Sequence, residues 1–257
     1  VNEISLVTIT LNEEANIARC IQSARELADE VLVVDSFSTD RTLDIARQLG
    51  ARVLQHPFEG HIQQKEWAIA QAAHDRVLFL DADEALSPEL QAAIREVKDS
   101  WPHDCYWCNR LSQMGGRWIR HGAWYPDRKM RLFDRRKYRT AGINPHDKFV
   151  PIAGASAGRL RGDLLHYTNS DIHDRALTIN KLSTHAARAY HERGKRGSWL
   201  RLLTKPRLRF FSEYLLRGGC LDGFYGFVIA KTSAQYVFLR ESKLLEIQRQ
   251  EKARDSR

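Results

Sequence analysis

The residues of this chain most suited to chemistry are carboxylates placed at the ends of short apolar runs. The clearest case is Leu78-Phe79-Leu80-Asp81-Ala82-Asp83-Glu84, where an apolar run delivers an Asp-X-Asp pair and a further carboxylate at its tip. Hard divalent cations such as Mg²⁺ take oxygen ligands, usually one or two carboxylates with phosphate oxygens completing the shell. A cation held there would stabilise negative charge on a departing diphosphate. Two earlier runs end in a similar way, Leu11-Asn12-Glu13-Glu14 and Val33-Val34-Asp35-Ser36-Phe37-Ser38-Thr39-Asp40.

The elements that must position these carboxylates can be read from the apolar pattern. The first 100 residues alternate short β-branched runs with amphipathic helical stretches, the pattern of an α/β domain with a parallel sheet. Val31-Leu32-Val33-Val34 and Val77-Leu78-Phe79-Leu80 are continuously apolar and predict strands inside the sheet. Asp35 and Asp81 follow them directly. In an open α/β sheet the ligand crevice forms at the carboxyl ends of the strands, so both are expected in one cleft. Asp40 reads as the N-cap of a helix over 42–49 stopped by Gly50, and Ser87-Pro88-Glu89 opens another in cap-then-proline order. Cys105-Tyr106-Trp107-Cys108 lacks the second ligand pair of a zinc site and reads as a strand with its thiols on opposite faces.

With 257 residues, 43% of them hydrophobic, the chain has enough material for one full core and an appendage, since domains usually run to about 100–200 residues. A catalytic domain over 1–170 and a helical extension over 171–257 are expected. Four scattered cysteines predict a reducing compartment, and the opening Ile4-Ser5-Leu6-Val7-Thr8-Ile9-Thr10-Leu11 reads as a strand rather than an export signal. Both point to the cytoplasm. No run approaches the roughly 18 apolar residues of a membrane span. The net charge of +8 is concentrated between Arg188 and Arg217, where nine Lys or Arg stand against two Glu. Arginines interleave there with Trp199-Leu200 and Phe210-Phe211, and Leu177, Leu182 and Ala186 form a stripe upstream. Such helices can lie in the interface of an anionic leaflet, which predicts a peripheral position on the inner face of the cytoplasmic membrane. The alternative is an ordinary helix pair packed on the catalytic domain.

In the order of its motifs the chain resembles the family 2 glycosyltransferases of the GT-A fold, a nucleotide-diphospho-sugar transferase architecture with a Rossmann-like mixed sheet. Those enzymes show a first strand ending in Asn-Glu, a second ending in Asp before a Ser/Thr-Asp helix start, and a third ending in Asp-X-Asp. The resemblance implies that Thr10 and Glu13 line the nucleotide pocket, Asp35 meets the uracil ring, Asp81 faces the ribose, and Asp83 holds Mg²⁺ or Mn²⁺. It also implies that Lys65, within Gly60-His61-Ile62-Gln63-Gln64-Lys65-Glu66-Trp67-Ala68, faces the diphosphate, and that His166 in Leu164-Leu165-His166-Tyr167 completes the metal shell.

Within that family the chain most resembles bacterial lipopolysaccharide inner-core glucosyltransferases, through Gly122-Ala123-Trp124-Tyr125-Pro126-Asp127, Arg131-Leu132-Phe133 and Asn144-Pro145-His146-Asp147. Where those enzymes carry His-Glu this chain has His146-Asp147, one methylene shorter. Inverting transfer needs a base to take the acceptor hydroxyl's proton. Asp147, oriented by His146, is the expected base, with Glu84 second. Trp118, Trp124, Tyr125, Arg128, Lys129 and Arg131 form an aromatic and basic cluster suited to stacking acceptor sugars and pairing with their anions. The implied activity is transfer of glucose from UDP-glucose to a heptose of a lipid-linked core oligosaccharide. Related enzymes for capsule, O-antigen or other glycans are the nearest alternative. A non-catalytic nucleotide- or membrane-binding module is the alternative of another class, and nucleic acid is not an expected partner because converging carboxylates repel a polyanion.

Overall fold

The computed structural model describes residues 2–144, 146–168 and 171–255, without the side chains of residues 143, 146 and 255. Pro145, the His146 side chain and Ser170 at the expected boundary therefore lie outside the described residues. The chain divides into two compact units, one of residues 1–111 and 127–167, the other of residues 112–126 and 168–257.

The first unit runs β1 (Ile4–Thr10), α1 (Ile17–Ala24), β2 (Glu30–Asp35), α2 (Thr42–Gln48), β3 (Arg52–Gln55), α3 (His61–Ala70), β4 (Arg76–Asp81), β5 (Glu84–Leu86) and α4 (Pro88–Ser100). There follow β6 (Cys105–Met114), whose last residues join the second unit together with β7 (Arg117–Trp118), then β8 (Asp127–Asp134), β9 (Tyr138–Ile143), β10 (His146–Pro151) and β11 (Ala157–His166). The sheet order is β3-β2-β1-β4-β8-β6-β11-β5. Strands β1 to β4 are parallel, while β8 joins β4 antiparallel, so the sheet is mixed. Strands β9 and β10 pair separately as a hairpin that sets Asp147 opposite Gly142.

Both continuously apolar runs lie in the sheet interior, as expected. Strand alternation divides them between two cores. Val31, Val33, Leu78 and Leu80 face one cluster with Ile17, Cys20 and Ile21 of α1, while Leu32, Val34, Val77 and Phe79 face the other with Ala68 and Ile69 of α3. Cys105 and Cys108 sit in opposite clusters as unpaired thiols. Helix α2 starts at Thr42 as expected, although Arg41 occupies the N-cap position. Asp40 stands one residue earlier, accepting from the Thr42 amide at 3.0 Å and the Glu14 amide at 3.1 Å. Ser87 caps α4 through Leu90 N at 3.2 Å, and its hydroxyl also accepts from Asp163 N, which ties β11 to the helix start. Gly162 permits that approach, because at φ +87° a Cβ would stand 2.3 Å from the Leu90 amide nitrogen.

The second unit contains α5 (Ile172–Glu192), α6 (Trp199–Phe211), a π-turn over Ser212–Leu216, a 3₁₀ turn over Gly219–Asp222 and α7 (Gly223–Asp255). Its buried stripe on α5 is Ile179, Ser183 and Ala187, displaced by one or two positions from the expected stripe. Leu177 is exposed and Leu182 and Ala186 are half-buried. Lys243 of α7 reaches the stripe, its Nζ donating to Ser183 Oγ and Thr184 Oγ1 at 2.8 Å each. No helix among the described residues is long and apolar enough to cross a membrane.

Phe79 is fully buried, meets Phe149 edge-on at 5.1 Å, and lies under the charged ends of Lys65 and Arg131. Phe79→Ala is expected to destabilise the fold by about 3–5 kcal/mol; urea denaturation of the two proteins would show it as a lowered midpoint with little change in slope.

Candidate active site

The carboxyl ends of β1 and β4 open into a cleft of about 530 Å³ in the first unit. It brings together seven of the expected residues: Thr10, Glu13, Lys65, Asp81, Asp83, Asp147 and His166. Their placement follows from the topology. Thr10 and Asp81 terminate adjacent parallel strands. Pairing of β11 with β5 sets His166 opposite Glu84, and Tyr167 N donates to Asp83 O at 2.9 Å. That brings His166 Nε2 to 3.1 Å from Asp83 Oδ2.

Opposite charges interlock below the cleft. Arg131 on β8 reaches Asp81 at 2.5 Å and Glu84 at 2.8 Å. Glu84 is completely enclosed and also accepts from Asp81 N at 3.1 Å. Lys65 Nζ lies 2.9 Å from Asp147 Oδ2 and 3.5 Å from Asp81 Oδ1. Burial alone would raise the pKa of Asp81, but Arg131 and Lys65 outweigh it and hold the carboxyl well below the usual carboxylate range. At Glu13 the balance is reversed. Burial pushes its carboxyl upward against a hydrogen bond from Asn16, and the charges of Asp83 and Asp40 add to the rise.

The expectations for Glu84, Arg131 and Asp35 need correction. Glu84, the second candidate for the base, is sealed beneath Asp81 and tied to Arg131, so no acceptor hydroxyl can reach it. Arg131 is only 6% exposed, and its guanidinium is engaged by those two carboxylates rather than offered to an acceptor. Asp35 is fully buried and does not line the cleft; it accepts from Ser38 N at 2.9 Å, from Gln55 Nε2 at 3.1 Å and from Ser38 Oγ. Its observed contacts shape the turn that presents Ser36 to the cleft. Trp124 and Tyr125 belong to the second unit, where Trp124 packs with Met114, Ile119 and Ile229 beneath the guanidinium of Arg175. Arg128 stays in the first unit and lines a second recess beside the cleft.

Other residues of the site were not anticipated. Phe58 and His61 line the cleft, and Arg110 and Lys148 line the recess beside it. His61 stands four residues before Lys65, one helical turn away on the same face, and that spacing was available as a signal. Phe58 lies in a loop without such periodicity. Lys65 sits on the buried stripe of α3 beside Ala68 and Ile69, which sets it apart from a solvated surface lysine.

Among the described residues no group of three or more His, Cys, Asp or Glu is arranged to hold a metal ion. The Asp83 and His166 pair nevertheless fits a Mg²⁺ or Mn²⁺ ion that takes its remaining ligands from diphosphate oxygens and water, the usual arrangement for such ions at phosphate sites.

The model of the Glycosyl transferase family 2 matches residues 5–158. An uncharacterized glycosyltransferase of Rickettsia felis is 35% identical over 95% of this chain and 90% of its own length. The lipopolysaccharide core biosynthesis glycosyltransferase LpsC of Rhizobium meliloti is 30% identical over 95% of this chain and 92% of its own. Among solved structures, glucosyl-3-phosphoglycerate synthase from Mycobacterium tuberculosis with Mn²⁺, UDP and glucosyl-3-phosphoglycerate aligns with 45% of each chain at 29% identity and a TM-score of 0.36.

Removing Arg131 would leave two carboxylates without their shared counter-charge. Arg131→Met is expected to cost about 3–5 kcal/mol at neutral pH. The depressed pKa of Asp81 makes its contribution to wild-type stability present above the unfolded value and lost as pH falls through the folded one. In Arg131→Met the orphaned carboxylates favour protonation, so part of the loss should be regained on lowering the pH towards about 5, where the wild type gains nothing from this pair. Urea midpoints of both proteins across that range are the check.

Proposed function

We propose that this chain, which belongs to glycosyl transferase family 2, transfers glucose from UDP-glucose to a heptose of a lipid-linked lipopolysaccharide core by a single inverting displacement. The observation that carries this reading is one cleft uniting a carboxylate-imidazole pair, Asp83 and His166, with a lysine-carboxylate pair, Lys65 and Asp147. Similarity to LpsC over most of both chains supports the choice of acceptor class.

Thr10, Glu13 and Ser36 line the part of the cleft assigned to the nucleoside, with Asp35 holding the turn behind Ser36. Asp83 and His166 would hold Mg²⁺ or Mn²⁺, which when bound supplies positive charge to the leaving diphosphate. Lys65 contributes a second cation there. Its ammonium donates to Asp147. A diphosphate competes for that ammonium, and as the pair loosens the Asp147 carboxylate is freed to accept a hydrogen bond from the acceptor hydroxyl. Asp147 then takes the proton of the acceptor hydroxyl while the acceptor oxygen bonds to the anomeric carbon. The bond from that carbon to the phosphate oxygen breaks, and its electron pair leaves on UDP. Attack from the face opposite the leaving group inverts the anomeric configuration.

Docking of the second unit on the inner leaflet completes the proposal and corresponds to a peripheral, cytoplasmic enzyme. Trp199, Leu200, Leu203 and Leu208 of α6 are all more than half exposed, interleaved with Arg201, Lys205, Arg207 and Arg209. Apolar side chains entering the acyl boundary while basic ones meet anionic headgroups are the usual chemistry of an interfacial helix.

UDP release from a panel of UDP-sugars, with and without Mg²⁺ or Mn²⁺ and with a core oligosaccharide acceptor, tests the catalytic reading. Asp147→Asn is expected to lower kcat by about 10²- to 10⁴-fold with donor KM little changed, while Lys65→Met should mainly raise donor KM. Full turnover by Asp147→Asn would remove it as the base. For the membrane reading, the protein should sediment with phosphatidylglycerol vesicles more than with phosphatidylcholine vesicles, less so at high salt, and Leu200→Asp should weaken the binding. Equal recovery in the supernatant with both lipids would count against it.

A further inference from the structure

The second recess, about 430 Å³ in volume, lies wholly within the first unit and shares Lys65, Asp81 and Asp147 with the cleft. A molecule seated in it therefore reaches Asp147 from the side away from Thr10 and Glu13. The character of the recess differs from that of the cleft. Alternation along β8 places Asp127, Lys129 and Arg131 on one face, and the antiparallel register with β6 sets Arg110 opposite Asp127. Arg128 and Lys148 are exposed at its rim.

The charges of this recess are incompletely matched. Asp127 serves two cations at once, Arg110 at 2.8 Å and Lys129 at 3.3 Å. Glu84 gives Arg110 only a longer contact at 3.5 Å, because Arg131 already holds it. Among the described residues neither Arg128 nor Lys148 is paired with a carboxylate. The crowding is felt at Lys129, whose pKa is lowered by burial and then by the neighbouring charges of Arg110 and Arg131, with Asp127 opposing. Cations gathered in a half-enclosed recess repel one another, and a bound anion relieves that repulsion through charge-assisted hydrogen bonds. Trp107 lines the same recess and offers an aromatic surface to a sugar ring.

We propose that this recess is an anion subsite for the acceptor, in which Lys129, Arg110 and Arg128 hold a phosphate or carboxylate group carried by the acceptor sugar and so direct its hydroxyl toward Asp147. The direction of the hydroxyl rests on the reading of Asp147 as the base and of the cleft as the donor pocket; the anion site itself does not. An acceptor lacking the anion would have no charge-assisted contact in the recess and would lose orientation as well as affinity. Specificity for an anionic acceptor is thereby assigned to β6 and β8, on the far side of Asp147 from the nucleotide.

The test uses the full chain with inorganic phosphate and acetate as probes, each titrated calorimetrically with and without saturating UDP. Phosphate or acetate is expected to bind together with UDP, and Lys129→Gln and Arg128→Gln should each weaken that binding about tenfold, the loss of one charge-assisted contact. Preference for phosphate or for acetate identifies which anion the subsite takes, and either supports it. Displacement of the anion by UDP would place it in the donor cleft and overturn the proposal, as would unchanged anion binding in both variants or no binding to the wild type. Failure of the wild type to bind UDP while it still binds phosphate would overturn the donor reading and leave the subsite supported.

Discussion

Arg131 joins two carboxylates, Asp81 and Glu84, at a point where the chain leaves the sheet interior and the acidic Asp-X-Asp segment begins. An enclosed glutamate beside a second carboxylate is strongly unfavourable without a counter-charge, since desolvation and mutual repulsion both oppose ionisation. The guanidinium supplies that charge and at the same time fastens β8 to the end of β4. Once it is in place, Glu84 can brace the Asp81 amide from below and Asp83 is left to face the cleft. Packing supports the same point, because Phe79 fills the space beneath both Arg131 and Lys65.

With Arg131 holding one side of Asp81, the other side is left to Lys65, which it shares with Asp147. Three elements distant in the chain, α3, β4 and β10, thus meet through a single ammonium. Such a linkage is sensitive to any anion that competes for the lysine. The cleft and the recess beside it are therefore electrically connected through the wall they share.

The second unit follows a different principle. Helix α5 buries only a narrow stripe of Ile179, Ser183 and Ala187, and α6 leaves large apolar side chains exposed among arginines. Large exposed apolar residues rimmed by basic ones mark interaction surfaces more often than solvated ones. The two units thus differ in chemistry, carboxylates and paired cations in the first, apolar and basic surface in the second.

Much of this was legible in the sequence because the relevant signals are local. Continuous apolar runs specify strands buried on both faces, and the residue after each run must lie at a strand end, which brought Asp81 to the crevice from the pattern, while Thr10, Glu13 and Asp83 were placed there through the family resemblance. The family of the chain follows from the same motifs. Partnerships across the chain were not legible. Arg131 and Glu84 are 47 residues apart, and Lys65 and Asp147 are 82 apart. Residue type cannot tell a cation that binds a ligand from one that neutralises a buried carboxylate, which is why Arg131 was expected on an acceptor face, and a place at a strand end cannot tell an open carboxylate from an enclosed one, which is why Asp35 was expected in the cleft. Nor does periodicity reveal that residues 112–126 leave the sheet to join the C-terminal helices. The sequence by itself determined which elements form and which residues end them, since those depend on near neighbours. Only the tertiary structure decided which charges face each other and which face the cleft, because that choice depends on desolvation and on counter-charges brought in from distant strands.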